Sequence, residues 1–351
     1  MSAASPQEQP VPDFYRSADA ALWDYRADPA ELGRRAEQWR ARHGIRAAAS
    51  DRAHVELLLV DLQRDFCLPG GALYVGGRSG RGALDDTDRV VRFLYRNLDR
   101  ITGVTATLDT HHPFQIFFAD FWLDAAGARL SPFREVTAAQ VRRGEARPDP
   151  ALAGFLAGGD ADWLRRQALD YCERLEAAGK HRLYLWPPHC LAGGDGHALT
   201  GVVQAARLFH AWCRRAPNRP VLKGEAALSE HYSALAPEVL RAHDGSPLGE
   251  VERALCDRLF ACDAVVVAGQ AASHCVRATV EDLIAEAGRR DPGFVSRIWL
   301  LEDAMSAIAV PDPERPGEFL VDFTAEVEAA LARFAAAGVR RLRTTDPLPA
   351  L

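Results

Sequence analysis

The sequence lacks the features of several common protein classes. It has 42 lysine and arginine residues against 48 aspartate and glutamate residues, and its net charge of −6 comes without long runs of one sign. A phosphate backbone requires a basic stripe, so we expect no nucleic-acid partner. No uninterrupted apolar run reaches the roughly 20 residues of a membrane span. The N-terminus carries acids and prolines where a secretory signal has a basic start and an apolar core, so we expect a cytoplasmic protein.

Cysteine pairs of the CxxC type are also missing, although the chain has seven cysteines. An odd number without that spacing argues against a disulfide scaffold and against a structural zinc site, so we expect reduced thiols. What is present is 48% hydrophobic and 26% charged residues over 351 positions. This composition is typical of a globular protein that buries a large core.

From His54 onward, short β-branched or leucine-rich runs alternate with amphipathic stretches. The predicted strands are 55–61, 103–109, 181–186, 219–224, 263–269, 297–303 and 340–345. This alternation predicts an α/β fold of three layers, with helices on both faces of a mostly parallel central sheet. We expect residues 51–351 to form this domain and residues 1–50 to form a tail and a helical extension.

The expected extension begins with a disordered tail over residues 1–12. Residues 17–43 are rich in Ala, Arg and Glu and predict one or two helices. Three apolar residues are expected to dock this extension onto the domain: Leu22, Trp23 and Trp39.

The segment 114–180 interrupts the alternation and is interpreted as an insertion over the sheet edge or the active-site mouth. Its aromatic first part is compatible with a hairpin. Its second part has apolar residues at helical spacing. These are Leu164, Ala168, Cys172 and Leu175. A cover for exposed core with no functional role is an equal alternative.

Several predicted strands end in polar residues that can do chemistry. Asp61, Asp109 and Lys223 close three of them, and Cys275 follows a fourth at a strand-to-helix turn. Because ligands of such sheets bind outside the carboxyl ends of the strands, we expect these side chains to meet. A thiol at a helix start faces unpaired N–H groups and the positive end of the helix dipole, which favours the thiolate. Taken singly, each residue is also compatible with an ordinary structural position.

Five motifs occur in the same order as in the isochorismatase-like cysteine hydrolases, and the chain most resembles their metal-dependent nicotinamidases. The motifs are LLLVDLQRDF at 57–66, TLDTHHP at 107–113, WPPHC at 186–190, LKG at 222–224 and GQAASHCVRAT at 269–279. The resemblance implies Asp61, Lys223 and Cys275 as the catalytic triad. It also implies a cis peptide between Gln270 and Ala271, with the N–H groups of Ala271 and Cys275 as the oxyanion hole.

A metal site is expected at Asp109, His111 and His189, whose carboxylate and two imidazoles suit Zn²⁺, Fe²⁺ or Mn²⁺. Asp109 and His111 lie two residues apart at a strand exit, and His189 is expected from the following strand. The resemblance implies that these residues hold one divalent metal, which binds the pyridine nitrogen of the substrate. It also implies that Phe66 and Trp186 sandwich the pyridine ring.

The sequence departs from the nicotinamidase pattern at one point. Some nicotinamidases have a further histidine shortly after the DxH pair, and the stretch PFQIFFADF at 113–121 contains none. Beside the metal residues, His112 is expected to face solvent or to lie behind the ligands. His274 is expected to shape the pocket next to Cys275.

The leading functional hypothesis is hydrolysis of a small carboxamide, nicotinamide to nicotinate and ammonia, for NAD salvage. A metal-free amidase or ureido hydrolase is the alternative, because the insertion and the absent histidine change the pocket. Isochorismate hydrolysis fits less well, since that reaction needs neither the thiol nor the metal ligands. A non-catalytic binding protein of the same fold is the hypothesis from another class. The resemblance further implies a homo-oligomer, since relatives are often dimers or tetramers.

Overall fold

The computed structural model of the protein describes residues 9–216 and 218–348. Its α-helices in these ranges, numbered α1 to α10, are Pro29–His43, Arg64–Cys67, Gly82–Arg96, Ala138–Arg143, Ala153–Leu156, Ala161–Ala178, Gly201–Arg214, Arg253–Phe260, Cys275–Arg290 and Thr324–Ala337. The strands, numbered β1 to β12, are Val55–Val60, Gly103–Asp109, Trp122–Leu123, Arg134–Val136, Arg147–Pro148, Leu183–Leu185, Pro220–Lys223, Ala264–Gly269, Ile298–Leu301, Ala309–Pro311, Phe319–Asp322 and Arg340–Leu342. Every described helix is too short or too polar to cross a membrane.

Six strands form the central sheet, in the order β12-β9-β8-β1-β2-β7. All neighbouring strands in it run parallel. The two central strands, β1 and β8, are buried along their whole length. Strands of this kind read as continuous apolar runs because both faces of the sheet are covered. The predicted α/β class with a parallel central sheet is confirmed.

The two faces of the sheet pack against different sets of helices. Leu57 and Leu59 of β1 join a core cluster with residues of α1, α3 and α7. Leu58 and Val60 of the same strand join a second cluster with α8, α9 and α10. Successive residues of a strand point to opposite faces, so this division follows from the strand geometry. The molecule therefore has the predicted three layers.

One predicted strand lies outside the central sheet. β6 pairs antiparallel with β4 in a separate two-stranded sheet, so the expectation of a central strand at 181–186 is wrong. A short apolar run fits either sheet, and its sequence does not identify the partner strand. His189 consequently reaches the site from a loop after β6 and not from a strand of the central sheet.

The segment 114–180 contains short strands and the long helix α6. A short hairpin is present where one was predicted, because Leu123 forms an antiparallel bridge with Arg129 and the Leu130 N–H donates to the Trp122 carbonyl at 3.1 Å. Its turn is closed by the Gly127 N–H, which donates to the Asp124 carbonyl at 3.1 Å. β3 also pairs with β5. The four apolar residues predicted at helical spacing all lie buried on α6.

The N-terminal extension packs on the domain through α1. Trp39 is partly buried against the core as predicted, whereas Leu22 is 45% exposed, so its predicted docking role is wrong. Residues 1–8 of the predicted tail lie outside the described residues. Gln9 donates its N–H to the Arg96 carbonyl at 2.9 Å, so the chain already contacts the domain at this residue. All seven cysteines are unpaired, as predicted from their spacing, and all are buried.

Candidate active site

Four adjacent strands bring the three predicted catalytic residues and one predicted metal ligand to one edge of the sheet. Asp61 follows β1, Asp109 ends β2, Lys223 ends β7, and Cys275 follows β8 by a short turn. Asp109 and Lys223 are register partners, so their side chains leave neighbouring strands at the same level. The carboxyl ends of parallel strands share one edge, which is why these distant parts of the sequence meet.

Lys223 is the centre of the resulting charge cluster. Its Nζ lies 3.0 Å from Asp61 Oδ2, 2.9 Å from Asp109 Oδ1 and 3.7 Å from Cys275 Sγ. It also donates to the His231 carbonyl at 2.8 Å. Burial favours neutral lysine, but the two carboxylates outweigh it and hold the pKa of Lys223 well above its ordinary value. The lysine is therefore a fixed positive charge beside the thiol.

The thiol of Cys275 and the carboxyl of Asp61 lie within 4.8 Å of each other. Burial raises the pKa of Cys275 well above its ordinary value, and the charge of Lys223 opposes this only in part. The thiol consequently keeps its proton at neutral pH, in contrast to the thiolate favoured by a helix start alone. Burial also raises the pKa of Asp61, against the opposing charge of Lys223, which makes this carboxylate a better proton acceptor.

Thr107 holds Asp61 in position. The Thr107 hydroxyl donates to Asp61 Oδ1 and accepts the Asp61 backbone N–H at 3.0 Å. Asp61 has a φ of +47°, a conformation that is uncommon for residues other than glycine and is often found at functional sites. The sequence analysis did not identify Thr107. Its position two residues before Asp109, on the same face of the same strand, was the available signal.

The turn between β8 and α9 contains the predicted cis peptide between Gln270 and Ala271. The Gln270 side chain donates to Asp86 Oδ2 at 2.9 Å, and the Ala271 carbonyl accepts the His274 N–H at 3.0 Å. Within 9–216 and 218–348, no group accepts a hydrogen bond from the N–H of Ala271 or of Cys275. Both N–H groups are thus available to an oxygen of a bound molecule.

The three predicted metal ligands also converge. One ligand atom each of Asp109, His111 and His189 lie within 4.8 Å of one another. His111 Nε2 is 2.9 Å, and His189 Nε2 is 3.8 Å, from Asp109 Oδ2. Each Nδ1 instead lies near a backbone carbonyl, of Gly224 at 3.1 Å for His111 and of Pro187 at 2.9 Å for His189. A carbonyl at Nδ1 places the ring proton there and leaves Nε2 as a ligand atom.

The electrostatics of the three predicted metal ligands favour a bound cation. Burial lowers the pKa of His189 to about 4, so its imidazole is neutral, as a metal ligand must be. Burial also acts to lower the pKa of His111, but the Asp109 carboxylate outweighs it and raises that pKa, so a positive charge beside Asp109 is favoured. Gly224 is needed next to them: it has a φ of +93°, and a Cβ there would lie 2.7 Å from His111 Cε1. The residues present therefore fit a divalent transition metal.

A small pocket connects the thiol of Cys275 to Asp109 and His189 of the metal site. Its volume is about 20 Å³, enough for one water molecule. Phe66 and Trp186, both predicted to contact substrate, line it, together with His274 as expected. A ring-sized molecule would therefore have to move the side chains that line the pocket. His112 lies outside it with a half-exposed side chain, in agreement with its expected solvent-facing position.

Glu230 lines the same pocket and was missed by sequence reasoning. Burial raises the pKa of its carboxyl to about 8, so it carries a proton at neutral pH. Its backbone N–H donates to the Tyr171 hydroxyl at 2.9 Å, which ties the loop after β7 to α6 of the 114–180 segment. No strand end or motif pointed to Glu230, because its position depends on this tertiary contact.

No family model matches the chain, and no curated protein does either. Solved structures of similar fold include the Acinetobacter baumanii nicotinamidase/pyrazinamidase, at 20% identity and a TM-score of 0.49 over 85% of this chain and 99% of that one. The yeast nicotinamidase bound to the inhibitor nicotinaldehyde has 17% identity and a TM-score of 0.49, over 82% of this chain and 99% of that one. N-carbamoylsarcosine amidase from Thermoplasma acidophilum has 14% identity and a TM-score of 0.39, over 84% of this chain and 98% of that one. Likeness at this level decides neither the substrate nor the reaction of this chain.

Proposed function

We propose that this chain is an isochorismatase-like hydrolase that cleaves a small carboxamide with Cys275 as its nucleophile. The observation that carries the proposal is the position of this thiol. It lies at the start of α9, within 4.8 Å of a buried carboxyl and 3.7 Å from a buried lysine, beside two N–H groups available to a bound molecule. Nucleophile, base, cation and oxyanion donors are the set that acyl transfer requires.

In the first half of the proposed reaction, Asp61 takes the proton of the Cys275 thiol. The positive charge of Lys223 stabilises the thiolate as it forms. The sulfur then attacks the amide carbon, and the carbonyl oxygen becomes an oxyanion that accepts hydrogen bonds from the N–H groups of Ala271 and Cys275. Preorganised donors of this kind typically contribute about 10²–10³ in rate.

In the second half, the C–N bond breaks and Asp61 returns its proton to the departing nitrogen, which leaves as ammonia. The acyl group stays on Cys275 as a thioester. Asp61, again unprotonated, takes a proton from a water molecule that attacks the thioester carbon. The acid product leaves, and the thiol is restored with that proton.

Asp109, His111 and His189 are proposed to hold one divalent transition metal, Zn²⁺, Fe²⁺ or Mn²⁺. The bound ion would supply an open coordination position for a ring nitrogen of the substrate. Asp109 is shared between this site and Lys223, since its two carboxylate oxygens contact different partners. By holding the ion, these three residues would orient the amide of that substrate above Cys275.

Nicotinamide is the proposed substrate, with nicotinate and ammonia as products and NAD salvage in the cytoplasm as the setting. Phe66 and Trp186 would contact the two faces of its ring. The pocket of about 20 Å³ favours a second candidate, a smaller linear amide or ureido compound, because a pyridine ring requires these aromatic side chains to move. Assembly of the chain into a homo-oligomer is proposed as well.

The test is ammonia release from nicotinamide, benzamide and short linear amides, with and without a chelator. Benzamide has the shape of nicotinamide without the ring nitrogen. We expect elemental analysis to find a stoichiometric transition metal in wild-type protein. We expect His189→Ala, which removes a proposed ligand, to weaken metal binding by at least the roughly 10- to 100-fold typical for loss of a group that supports a ligand, and to raise KM for nicotinamide only. Equal hydrolysis of nicotinamide and benzamide, or wild-type protein without metal, would point to the second candidate.

A further inference from the structure

A second and larger cavity lies between the N-terminal extension and the hydrolase domain. Its volume is about 540 Å³, within the range of small-molecule sites. Tyr25 and Leu32 line it from the extension, and Leu108 of β2 and Leu208 of α7 line it from the domain. Much of its wall is therefore apolar, and α1, which packs against α7, contributes to it.

Three arginines line this cavity, and none of the described residues that line it is acidic. Arg207 is 8% exposed, and its guanidinium donates to the neutral oxygens of Gln204, at 2.7 Å, and of Asn218. Arg64 has a side chain that is 9% exposed, and its Nε has no hydrogen-bond partner among the described residues. One Nη of Arg64 lies 3.9 Å from the carboxylate of the exposed Asp195, and Arg207 has no carboxylate partner among the described residues. Buried charges are normally paired at close range, so these two guanidinium groups leave room for an anion.

The start of α7 adds to this positive surface. Gly201 and Gln204, in the first turn of the helix, line the cavity. Thr200 precedes that turn but makes no side-chain capping bond, and its buried hydroxyl has no partner among the described residues. The first-turn N–H groups of a helix and its dipole attract anions, and here a capping side chain does not satisfy them.

We propose that this cavity is a second ligand site, which binds a small organic anion with an apolar body. A carboxylate or phosphate group would pair with Arg64, Arg207 and the exposed Arg26, and the apolar part would pack against Leu32 and Leu208. This inference is independent of the proposed catalytic function, since it uses none of the catalytic residues.

The cavity also adjoins the catalytic edge. Leu108 lines it and directly precedes Asp109 in β2. Arg64 directly follows Gln63, whose side chain donates to the Asp109 carbonyl at 2.7 Å and accepts the Asp109 N–H at 2.7 Å. An occupant held by Arg64 would therefore contact the segments that fix Asp109.

The experiment is calorimetric titration of the full chain with three probes. They are 4-phenylbutyrate, phenyl phosphate and the uncharged 4-phenylbutanol. The first two distinguish a carboxylate from a phosphate ligand, and the third reports the apolar contribution alone. Each titration is repeated with Arg207→Gln, with Arg26→Gln and with Arg215→Gln. Arg215 is the matched control, because it is an exposed arginine at the far end of α7 that pairs with Glu37.

We expect one saturable site that binds at least one of the two anions about tenfold more tightly than the alcohol. Arg207→Gln and Arg26→Gln should each weaken anion binding about fivefold or more, and Arg215→Gln should leave it unchanged. Arg26 is exposed, so its substitution tests the site even if Arg207→Gln does not fold. Absence of saturable binding at millimolar concentration, equal affinity for alcohol and anions, or equal affinity in all variants would overturn the proposal.

Discussion

The catalytic pocket and the arginine-lined cavity hold their buried charges in different ways. At the catalytic edge, Lys223 lies within 3.0 Å of two carboxylates, and the remaining space is about 20 Å³. In the cavity, Arg64 has only the exposed Asp195 at 3.9 Å, Arg207 has no carboxylate partner among the described residues, and the space is about 540 Å³. Leu108 and Asp109, consecutive residues of β2, line one region each.

This difference indicates that the catalytic pocket is preorganised for a reaction, whereas the arginine-lined cavity is suited to binding a ligand. A cluster whose charged groups are paired with one another keeps its geometry, as a catalytic site requires. An excess of positive charge beside an apolar wall is instead complementary to a bound molecule that carries negative charge. Substitutions that remove one charge should therefore have large effects in the first region and small effects on the free protein in the second.

Asp61→Asn should give the largest effect. The substitution preserves shape and removes the proton acceptor for Cys275, so we expect ammonia release to slow by about 10²–10⁴-fold. Steady-state kinetics with the best amide of the panel would measure it. Asp162→Asn is the control, because that exposed aspartate on α6 lies outside both regions. A rate within a fewfold of wild type would remove Asp61 from the catalytic mechanism.

Lys223→Met and Arg207→Met compare the two regions directly. Removing Lys223 leaves two buried carboxylates without their cation, so we expect the free energy of unfolding to fall by about 3–5 kcal/mol. Removing Arg207 does not leave a buried carboxylate without a partner, so the free energy of unfolding should fall by about 1 kcal/mol or less. Urea unfolding gives both values. Equal losses in the two variants would contradict the distinction between charges that are closely paired within the protein and charges that are not.

Glu238 extends the comparison to a carboxyl with a distant partner. Its Oε1 lies 3.8 Å from Lys180 Nζ, and burial raises the pKa of Glu238 from 4.5 to about 7. The folded chain thus retains a proton that the unfolded chain loses, and stability falls as the pH rises from about 4.5 to above 7. Glu238→Gln cannot ionise, so it should lose about 1–3 kcal/mol less than wild type across this interval.

Urea unfolding at pH 4.5 and pH 8 would measure that difference. Glu250→Gln serves as the control, since Glu250 is exposed. A pH dependence that is the same in wild type, Glu238→Gln and the control would show that Glu238 titrates normally in the folded chain.

Much of the central sheet was predictable from sequence, because its strands are buried on both faces and form continuous apolar runs. The positions of Asp61, Asp109, Lys223 and Cys275 followed from the shared carboxyl edge of those strands. β6 was wrongly predicted in the central sheet, since a short apolar run does not specify its partner strand. Leu22 was wrongly predicted to dock on the domain, because that contact depends on the path of the chain in the extension. The motif resemblance pointed to His189 even though its strand assignment was wrong.

The residues that support the catalytic and metal-site side chains were less accessible to sequence reasoning. Thr107 and Gln63 act through hydrogen bonds across 46 residues of sequence. Glu230 enters the pocket through a contact with Tyr171, and the arginine-lined cavity forms between the extension and α7. Such features depend on how elements pack together, and no local periodicity or spacing encodes them.

The central claim is that Cys275 is the nucleophile, and the most direct measurement is ammonia release by folded Cys275→Ala protein. Cys262→Ala is the matched control, because Cys262 is also buried and lies outside the pocket. With the amide that wild type hydrolyses fastest, we predict background release by Cys275→Ala, an unchanged far-ultraviolet circular dichroism spectrum, and wild-type release by Cys262→Ala. Substantial release by a folded Cys275→Ala protein would contradict the cysteine mechanism.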